Sequence, residues 1–432
     1  MLDIVLIDVI LLVVLLMLRV PLPYCFGGAL MFMSFFGNIS MKSMMLWGFS
    51  QMINPVLLAT PLFILAGTLI GGSGIAKNLL DFVDVFVGRI KGGLGVVSCL
   101  ACALIGAISG SGFTGVAATG PILIPRMVEQ GYPRGFATGL LAVASILGLL
   151  IPPSAIMILY GWVTETSILA CFLSTLLPGI LITISLSIVS LVLSRKFDLK
   201  LESLAELQKK RREIGSRTVK AFPALLMPVI VLGGIYGGVF TTTEAAAVGA
   251  VYALVVGFLI YKGFLNGNFY PLMRESASAI GSIMTMIFFC LMLSQTYVML
   301  QVPQAIVEIV FNITQNRFLL LILINIFLLI VGMVVNDATG MLLVAPLLLP
   351  LVLELGITPV HFAAIMGVNL AMGGVTPPYA SILYLAMRVG KAEFAEVFKP
   401  VMVFIIFGYV PTVLLTTYWA PLSLFLPQLL GY

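Results

Sequence analysis

Long apolar stretches dominate the chain, at about 4–18, 21–37, 55–70, 94–108, 137–160, 168–194, 221–239, 244–262, 279–300, 318–335, 361–386 and 401–427. A helix needs about 20 mostly apolar residues to cross a bilayer, and its backbone groups must be satisfied internally. After loops are subtracted, the length allows roughly 10 to 13 such segments. The first stretch carries Asp3 and Asp8 where a signal peptide would carry positive charge, so it is expected to be the first membrane helix. The pattern predicts an all-α polytopic membrane protein with about 11–12 membrane helices.

Composition supports this reading. Of 432 residues, 61% are hydrophobic and only 9% are charged, against about 25% charged in a soluble protein. That supply cannot coat a globular surface, which excludes a soluble enzyme or a nucleic-acid-binding domain. The net charge of +5 reports topology instead, because nine of the 22 Lys and Arg residues lie between Arg195 and Lys220. Within that segment Leu199, Leu201, Leu204 and Leu207 recur at roughly helical spacing. This predicts an amphipathic helix on the cytoplasmic membrane surface, with a solvated linker as the alternative. Five cysteines lie inside apolar stretches and the only histidine is His361. Cys99 and Cys102, despite their C-x-x-C spacing, are expected to be small packing residues, and no transition-metal site is expected.

An internal repeat organises the chain. A shift of 225 positions superposes Pro121 on Pro346, Pro125 on Pro350, Gly131 on Gly356, Gly148 on Gly373, Pro152 on Pro377 and Pro153 on Pro378. Proline and glycine impose special backbone geometry, so matched spacing implies matched folds. Lys77, Arg89, Lys91, Arg126 and Arg134 surround the first copy, whereas Arg317 is the one cation between 275 and 387. Both ends of the segment 92–127 are basic, which predicts a re-entrant hairpin entering from the cytoplasm. Its counterpart at 318–353, with Asn336-Asp337 at the tip, is expected to enter from the opposite side. Two like-folded halves of opposite orientation form an inverted repeat of the secondary-transporter kind.

Four breaks interrupt the apolar runs, at 109–115, 148–154, 336–340 and 373–378. Broken backbone at membrane depth is tolerated only inside protein or beside an aqueous cavity. There its carbonyls and hydroxyls can replace the hydration shell of Na⁺, while helix N-termini can face an anion. The candidate sodium donors are Ser109, Gly110, Ser111, Gly148 and Pro152 in the first half. In the second they are Asn336, Asp337, Thr339, Gly373 and Thr376. Gly112, Ser145, Pro153, Ser154, Pro377 and Pro378 are placed near the substrate. Asp337 is the single carboxylate within 318–353; either it faces a cation or it caps the helix that follows. Thr241 to Glu244 read as a helix cap with early-turn acidity, and His361 as an interfacial histidine or, less simply, a proton relay. An intramembrane aspartyl protease would need a second aspartate beside Asp337, and 318–432 offers none.

The residues then resemble a known family. LFILAGTLIGGSGIAKNLLDF at 62–82, ISGSG at 108–112, RMVEQGYPRGFATGL at 126–140, IPPS at 151–154, GGVFTTTEAAAVGAVYAL at 237–254, GMVVNDATGMLLVAPLLLP at 332–350 and GGVTPP at 373–378 are similar to the large membrane subunit of tripartite ATP-independent periplasmic (TRAP) transporters. The resemblance spans essentially the whole chain. It implies an elevator-type permease of the bacterial inner membrane, not an enzyme, that takes up an organic acid with co-transported Na⁺ and no organic cofactor. It also implies two partner chains, a small four-helix membrane subunit and a periplasmic substrate-binding protein. On this basis 1–54 and 221–274 are scaffold helices, 55–194 and 275–432 are the repeats with broken helices at about 137–160 and 361–386, and 195–220 is a static connector. Thr242 and the stretch ASILGLLIPPS at 144–154 depart from the family pattern, the latter beside the expected substrate site. The competing reading is a stand-alone sodium–dicarboxylate symporter of the divalent-anion type.

Overall fold

The computed structural model describes residues 2–18, 20–87, 90–200, 213–267, 269–377 and 380–432. Pro378, Arg89 and the expected amphipathic segment around Leu201, Leu204 and Leu207 lie outside the described residues.

The described chain is helical throughout. The N-terminal part comprises α1 (Leu2–Met17), α2 (Leu22–Phe36) and α3 (Met41–Met52). Next come α4 (Ala59–Ser73), entered through a tight turn at Pro55–Leu58, and α5 (Ile75–Val87). Then α6 (Gly93–Ser109) and α7 (Gly112–Glu129) form hairpin 1, followed by α8 (Arg134–Ser145), α9 (Leu147–Leu150), α10 (Ala155–Val163) and α11 (Ile168–Ser194). After the connector come α12 (Ile214–Tyr236), α13 (Thr242–Val255) and α14 (Phe269–Met299). The second half continues with α15 (Val302–Ile313), hairpin 2 built of α16 (Arg317–Val334) and α17 (Asp337–Glu354), and α18 (Pro359–Gly373). It ends with α19 (Ser381–Gly390), α20 (Phe394–Phe404), α21 (Val410–Tyr418) and α22 (Pro421–Leu429).

Among the described residues eight helices are long and apolar enough to cross a membrane. A ninth crossing forms if Arg134–Leu150 and Ala155–Val163, bent by 42° at their break, count as one. Large apolar side chains such as Ile188, Val229 and Val251 stand exposed on the outer faces, as lipid-facing residues should in a chain with so little charge.

Local chemistry explains the boundaries. Asn316 accepts from the Phe318 amide to start α16, and Thr358 accepts from the His361 amide to start α18 ahead of Pro359. Thr241 and Glu244 form a complete capping box: the Thr241 hydroxyl accepts from the Glu244 amide at 3.2 Å, and Glu244 accepts from the Thr241 amide at 2.8 Å. Three short helices, α3, α5 and α15, do not correspond to any apolar run. In α15, Gln304, Glu308 and Asn312 recur along one side, which breaks the continuous apolar signal. α12 starts at Ile214, inside the segment assigned to the connector. Arg217 is tolerated there because it bonds to Glu213 one turn back and to the Asp81 carbonyl.

The 225-residue shift maps helices onto helices. It carries α7 (Gly112–Glu129) onto Asp337–Glu354, and the start of α8 at Arg134 onto Pro359. Gly131 and Gly356, matched by the shift, both take positive φ, +100° and +72°. Such a turn favours glycine, because a side chain strains that conformation. The prolines at 121 and 125, and at 346 and 350, lie inside the second arms of the two hairpins. The main buried core packs these hairpins against the broken helices and α11.

Candidate functional site

Each hairpin tip is a two-residue turn that brings backbone close to a break. In hairpin 1, Ser109 ends α6 and is 1% exposed. Gly110 turns the chain with φ +63°, and its amide donates to the Gly106 carbonyl at 2.8 Å. Ser111 precedes α7 in extended conformation, without a side-chain capping bond. The tip meets the first break directly, since the Ala155 amide donates to the Gly110 carbonyl at 3.4 Å. A Cβ placed on Gly110 would lie 2.7 Å from the Pro153 carbonyl oxygen. At the Pro152–Pro153 break, Ser154 is buried with its hydroxyl on the Leu149 carbonyl. Ser145 lies behind the tip, close to Gly115, and bonds to the Ala142 carbonyl at 2.7 Å.

The two glycines of the first half make the contact possible. A Cβ on Gly106 would collide with the backbone of Gly148, and one on Gly148 would lie 2.9 Å from both Gly106 Cα and the Ser111 carbonyl oxygen. The second half repeats this, for a Cβ on Gly373 would lie 2.5 Å from the Gly332 backbone. Backbone cannot step aside as a flexible side chain can, so both crossings require glycine.

At hairpin 2 the Asn336 side chain is the helix cap, accepting from the Ala338 amide at 3.0 Å. Asp337 is the first residue of α17, half-buried at the positive end of the helix. The capping role therefore falls to Asn336. Thr339 is fully buried and turned toward Met286 of α14, its hydroxyl 2.8 Å from the sulfur. Thr376, 8% exposed, donates to the Met372 carbonyl at 2.7 Å, and Pro377 follows half-buried. The halves meet through Ile382 of α19. Its methyl group lies 2.9 Å from where a Cβ on Gly112 would stand, and its amide donates to the Gly374 carbonyl at 3.3 Å. The structure thus gathers Ser109, Gly110, Ser111, Gly148, Pro153 and Ser154 in one neighbourhood. Asn336, Asp337 and Thr339 share the second tip, and Gly373, Thr376 and Pro377 its facing break. Among the described residues no hydrogen bond joins one tip to the other.

One buried polar cluster escapes motif reading. Asn369 of α18 donates to Asn325 Oδ1 of α16 at 2.7 Å, and Thr417 of α21 donates to the same oxygen at 3.1 Å. Asn369 Oδ1 is buried without a partner. The available signal was two asparagines inside otherwise apolar runs. His361 is also buried, its Nε2 2.7 Å from the Thr416 carbonyl. All five cysteines are buried free thiols.

At the exit of hairpin 1, Arg126 pairs with Asp84 of α5 at 2.5 Å, and Arg217 of α12 stands 4.0 Å from the same carboxylate oxygen. Asp84 is 5% exposed, so this pair ties the exit of the hairpin to helices outside it.

Comparison with known proteins adds the following. The sequence profile described as "Tripartite ATP-independent periplasmic transporter, DctM component" matches residues 9–421. The chain is 35% identical over 400 residues to the C4-dicarboxylate TRAP transporter large permease protein DctM of Pseudomonas aeruginosa, covering 92% of both chains. It is 34% identical over 377 residues to the isethionate TRAP transporter permease protein DctMQ of Oleidesulfovibrio alaskensis, covering 85% of this chain but only 58% of that longer protein. Among solved structures, the YdaH transporter of Alcanivorax borkumensis aligns with a TM-score of 0.60 at 15% identity, over 88% of this chain and 89% of the other. That likeness is one of fold.

Proposed function

The chain belongs to the DctM family of tripartite ATP-independent periplasmic transporters, as a large multi-pass permease subunit rather than an enzyme, and from that premise we propose that it carries an organic anion into the cell with sodium by an elevator motion. The observation that carries the reading is the paired construction: each hairpin tip is pressed, glycine against glycine, onto a broken span. Carbonyl oxygens gathered at such crossings have second lone pairs that suit a small, hard cation. We assign sodium to two places, one around Ser109, Gly110, Ser111, Gly148 and Pro152, the other around Asn336, Asp337, Thr339, Gly373 and Thr376. The anion would lie between the tips, near Gly112, Ser145, Pro153, Ser154 and Pro377.

Energetics favour more than one sodium. Each positive charge moved inward through 100 mV gains about 2.3 kcal/mol, and each negative charge loses as much. A dianion therefore needs two sodium ions merely to cancel its electrical cost, so two hairpins with one cation each are a sensible minimum. The relatives named for C4-dicarboxylates and isethionate point to a carboxylate or related anion. By the same kinship we propose a small four-helix membrane subunit and a periplasmic substrate-binding protein as partners, and the bacterial inner membrane as the location. The two repeats would lie in opposite orientations, with the hairpins and broken helices as the moving body.

The test is uptake into proteoliposomes containing this chain with its small subunit. Labelled anion should accumulate only under an inward sodium gradient and only with the cognate binding protein outside. Equal uptake in potassium would reject sodium coupling, and uptake without any binding protein would reject tripartite delivery.

A further inference from the structure

Two hollows lie side by side along the first half of α14. The inner one, about 600 Å³, reaches from the start of α2 to Asn336 at the tip of hairpin 2. The outer one, about 550 Å³, ends at Arg274 and Glu275. They share Ser278 and Ser282 and so adjoin along one face of α14, together forming a groove. Thr285 stands on the same wall of the inner hollow, giving a hydroxyl row at one and two turns' spacing.

The hydroxyls themselves indicate what fills the groove. Many Ser and Thr of the membrane helices turn back onto their own helix, as in Thr68 to Ile64, Ser98 to Leu94, Thr183 to Gly179 and Thr296 to Met292, all at 2.8–3.0 Å. Within the groove Thr285 does the same on Gly281 at 2.8 Å, so the open hydroxyls there are those of Ser278 and Ser282. Hydrocarbon offers no other partner, and an unmade bond there is costly. Ser278 and Ser282 are exposed and make no such bond among the described residues. Asn336 uses its Oδ1 on the Ala338 amide, and its Nδ2 has no partner among the described residues. Groups left open in this way belong beside water or a polar ligand.

The groove opens toward the basic edge of the protein. The Tyr261 hydroxyl bonds to the Lys220 carbonyl, gathering the start of α12 and Lys262 at the end where α14 begins. That is the cytoplasmic end by the distribution of positive charge.

We propose that this groove is a water-filled vestibule through which a small organic anion passes between the tip of hairpin 2 and the cytoplasm, with Arg274 attracting it at the mouth and Glu275 opposing it. The volume suits a small-molecule passage. The proposal deepens the transport reading and rests on it for the identity of the cargo as an anion.

Thiol labelling tests it without requiring transport. Ser278→Cys, Ser282→Cys and, as a lipid-facing control, Val229→Cys are made one at a time in the full chain, in which the native thiols are buried. Each is exposed to two membrane-impermeant methanethiosulfonates, one anionic (sulfonatoethyl) and one cationic (trimethylammonioethyl), applied from the cytoplasmic side. Labelling after denaturation checks that every variant is present. Ser278→Cys and Ser282→Cys should react much faster than Val229→Cys; rates no faster than the control would mean a lipid-filled groove and overturn the proposal. At Ser278→Cys, adding Arg274→Gln should lower the anionic-to-cationic rate ratio roughly threefold to tenfold, and Glu275→Gln should raise it similarly. A ratio unmoved by both changes would overturn the role given to Arg274. Failure of labelling counts against the vestibule alone, whereas failure of sodium-driven uptake counts against the transport reading alone.

Discussion

Asn336 caps α17 by accepting from the Ala338 amide, and Asp337 follows it as the first residue of the helix. A carboxylate at the start of a helix in a chain this poor in charge is then available for a cation. Asp337→Ala should raise the sodium concentration for half-maximal uptake by roughly tenfold or more, the loss of one strong ionic contact. Ser109→Ala should act in the same direction at the other tip. Uptake measured against sodium concentration checks both, and an unchanged sodium response in either variant removes that residue from the site. The glycines at the crossings carry a steric role. Gly148→Ala and Gly373→Ala put a methyl group against backbone at 2.9 Å and 2.5 Å. Each should cost about 1–3 kcal/mol of packing energy and part the tip from its break. Uptake should fall to background while the protein still reaches the membrane, which detergent-solubilised yield and thermal melting would show. The glycines, prolines and Asp337 were legible in the sequence because they break apolar runs. Which glycine touches which was not, since Gly106 and Gly148, or Gly332 and Gly373, are joined only by folding.

At the scale of elements, caps and ion pairs separate stability from movement. Thr241→Ala removes half of a capping box at the exposed start of α13, and should cost about 1 kcal/mol. The melting midpoint should drop slightly and uptake per folded molecule should stay the same, because α13 lies outside the hairpins. The Asp84–Arg126 pair is different in kind. It joins a buried carboxylate on α5 to the exit of hairpin 1, with Arg217 of α12 beside it. Asp84→Asn should leave Arg126 short of a partner, cost about 1–3 kcal/mol, and shift the resting balance away from this conformation. Cysteine accessibility along hairpin 1, with and without sodium, would show that shift. Most helices were visible as apolar runs. Short helices such as α15 were not, because a helix with one polar side breaks the run that marks a span.

For the molecule as a whole, the proposed elevator requires hairpin 1 to slide past α5 and α12. Bridging Asp84→Cys and Arg126→Cys with a bismaleimide should arrest uptake by at least about tenfold, while either single variant treated in the same way keeps its own activity. Undiminished uptake in the bridged protein would mean that hairpin and scaffold do not part. The 225-residue shift gives the wider frame, since it carries helix starts and ends onto one another as well as prolines and glycines.

By itself the sequence determined the membrane class, the 225-residue spacing of matched prolines and glycines, and the four interruptions of the apolar runs. These follow from local rules: hydrocarbon demands apolar runs with internally bonded backbone, and only proline, glycine and polar residues interrupt them. Tertiary structure decided the rest. It set tip against break, made Asn336 and not Asp337 the cap, joined Asn325 to Asn369 and Thr417, and left Ser278 and Ser282 unbonded along a groove that ends at Arg274. These contacts join residues far apart in the chain, and no local pattern records which distant backbone or side chain will fill the space beside a residue once the helices pack.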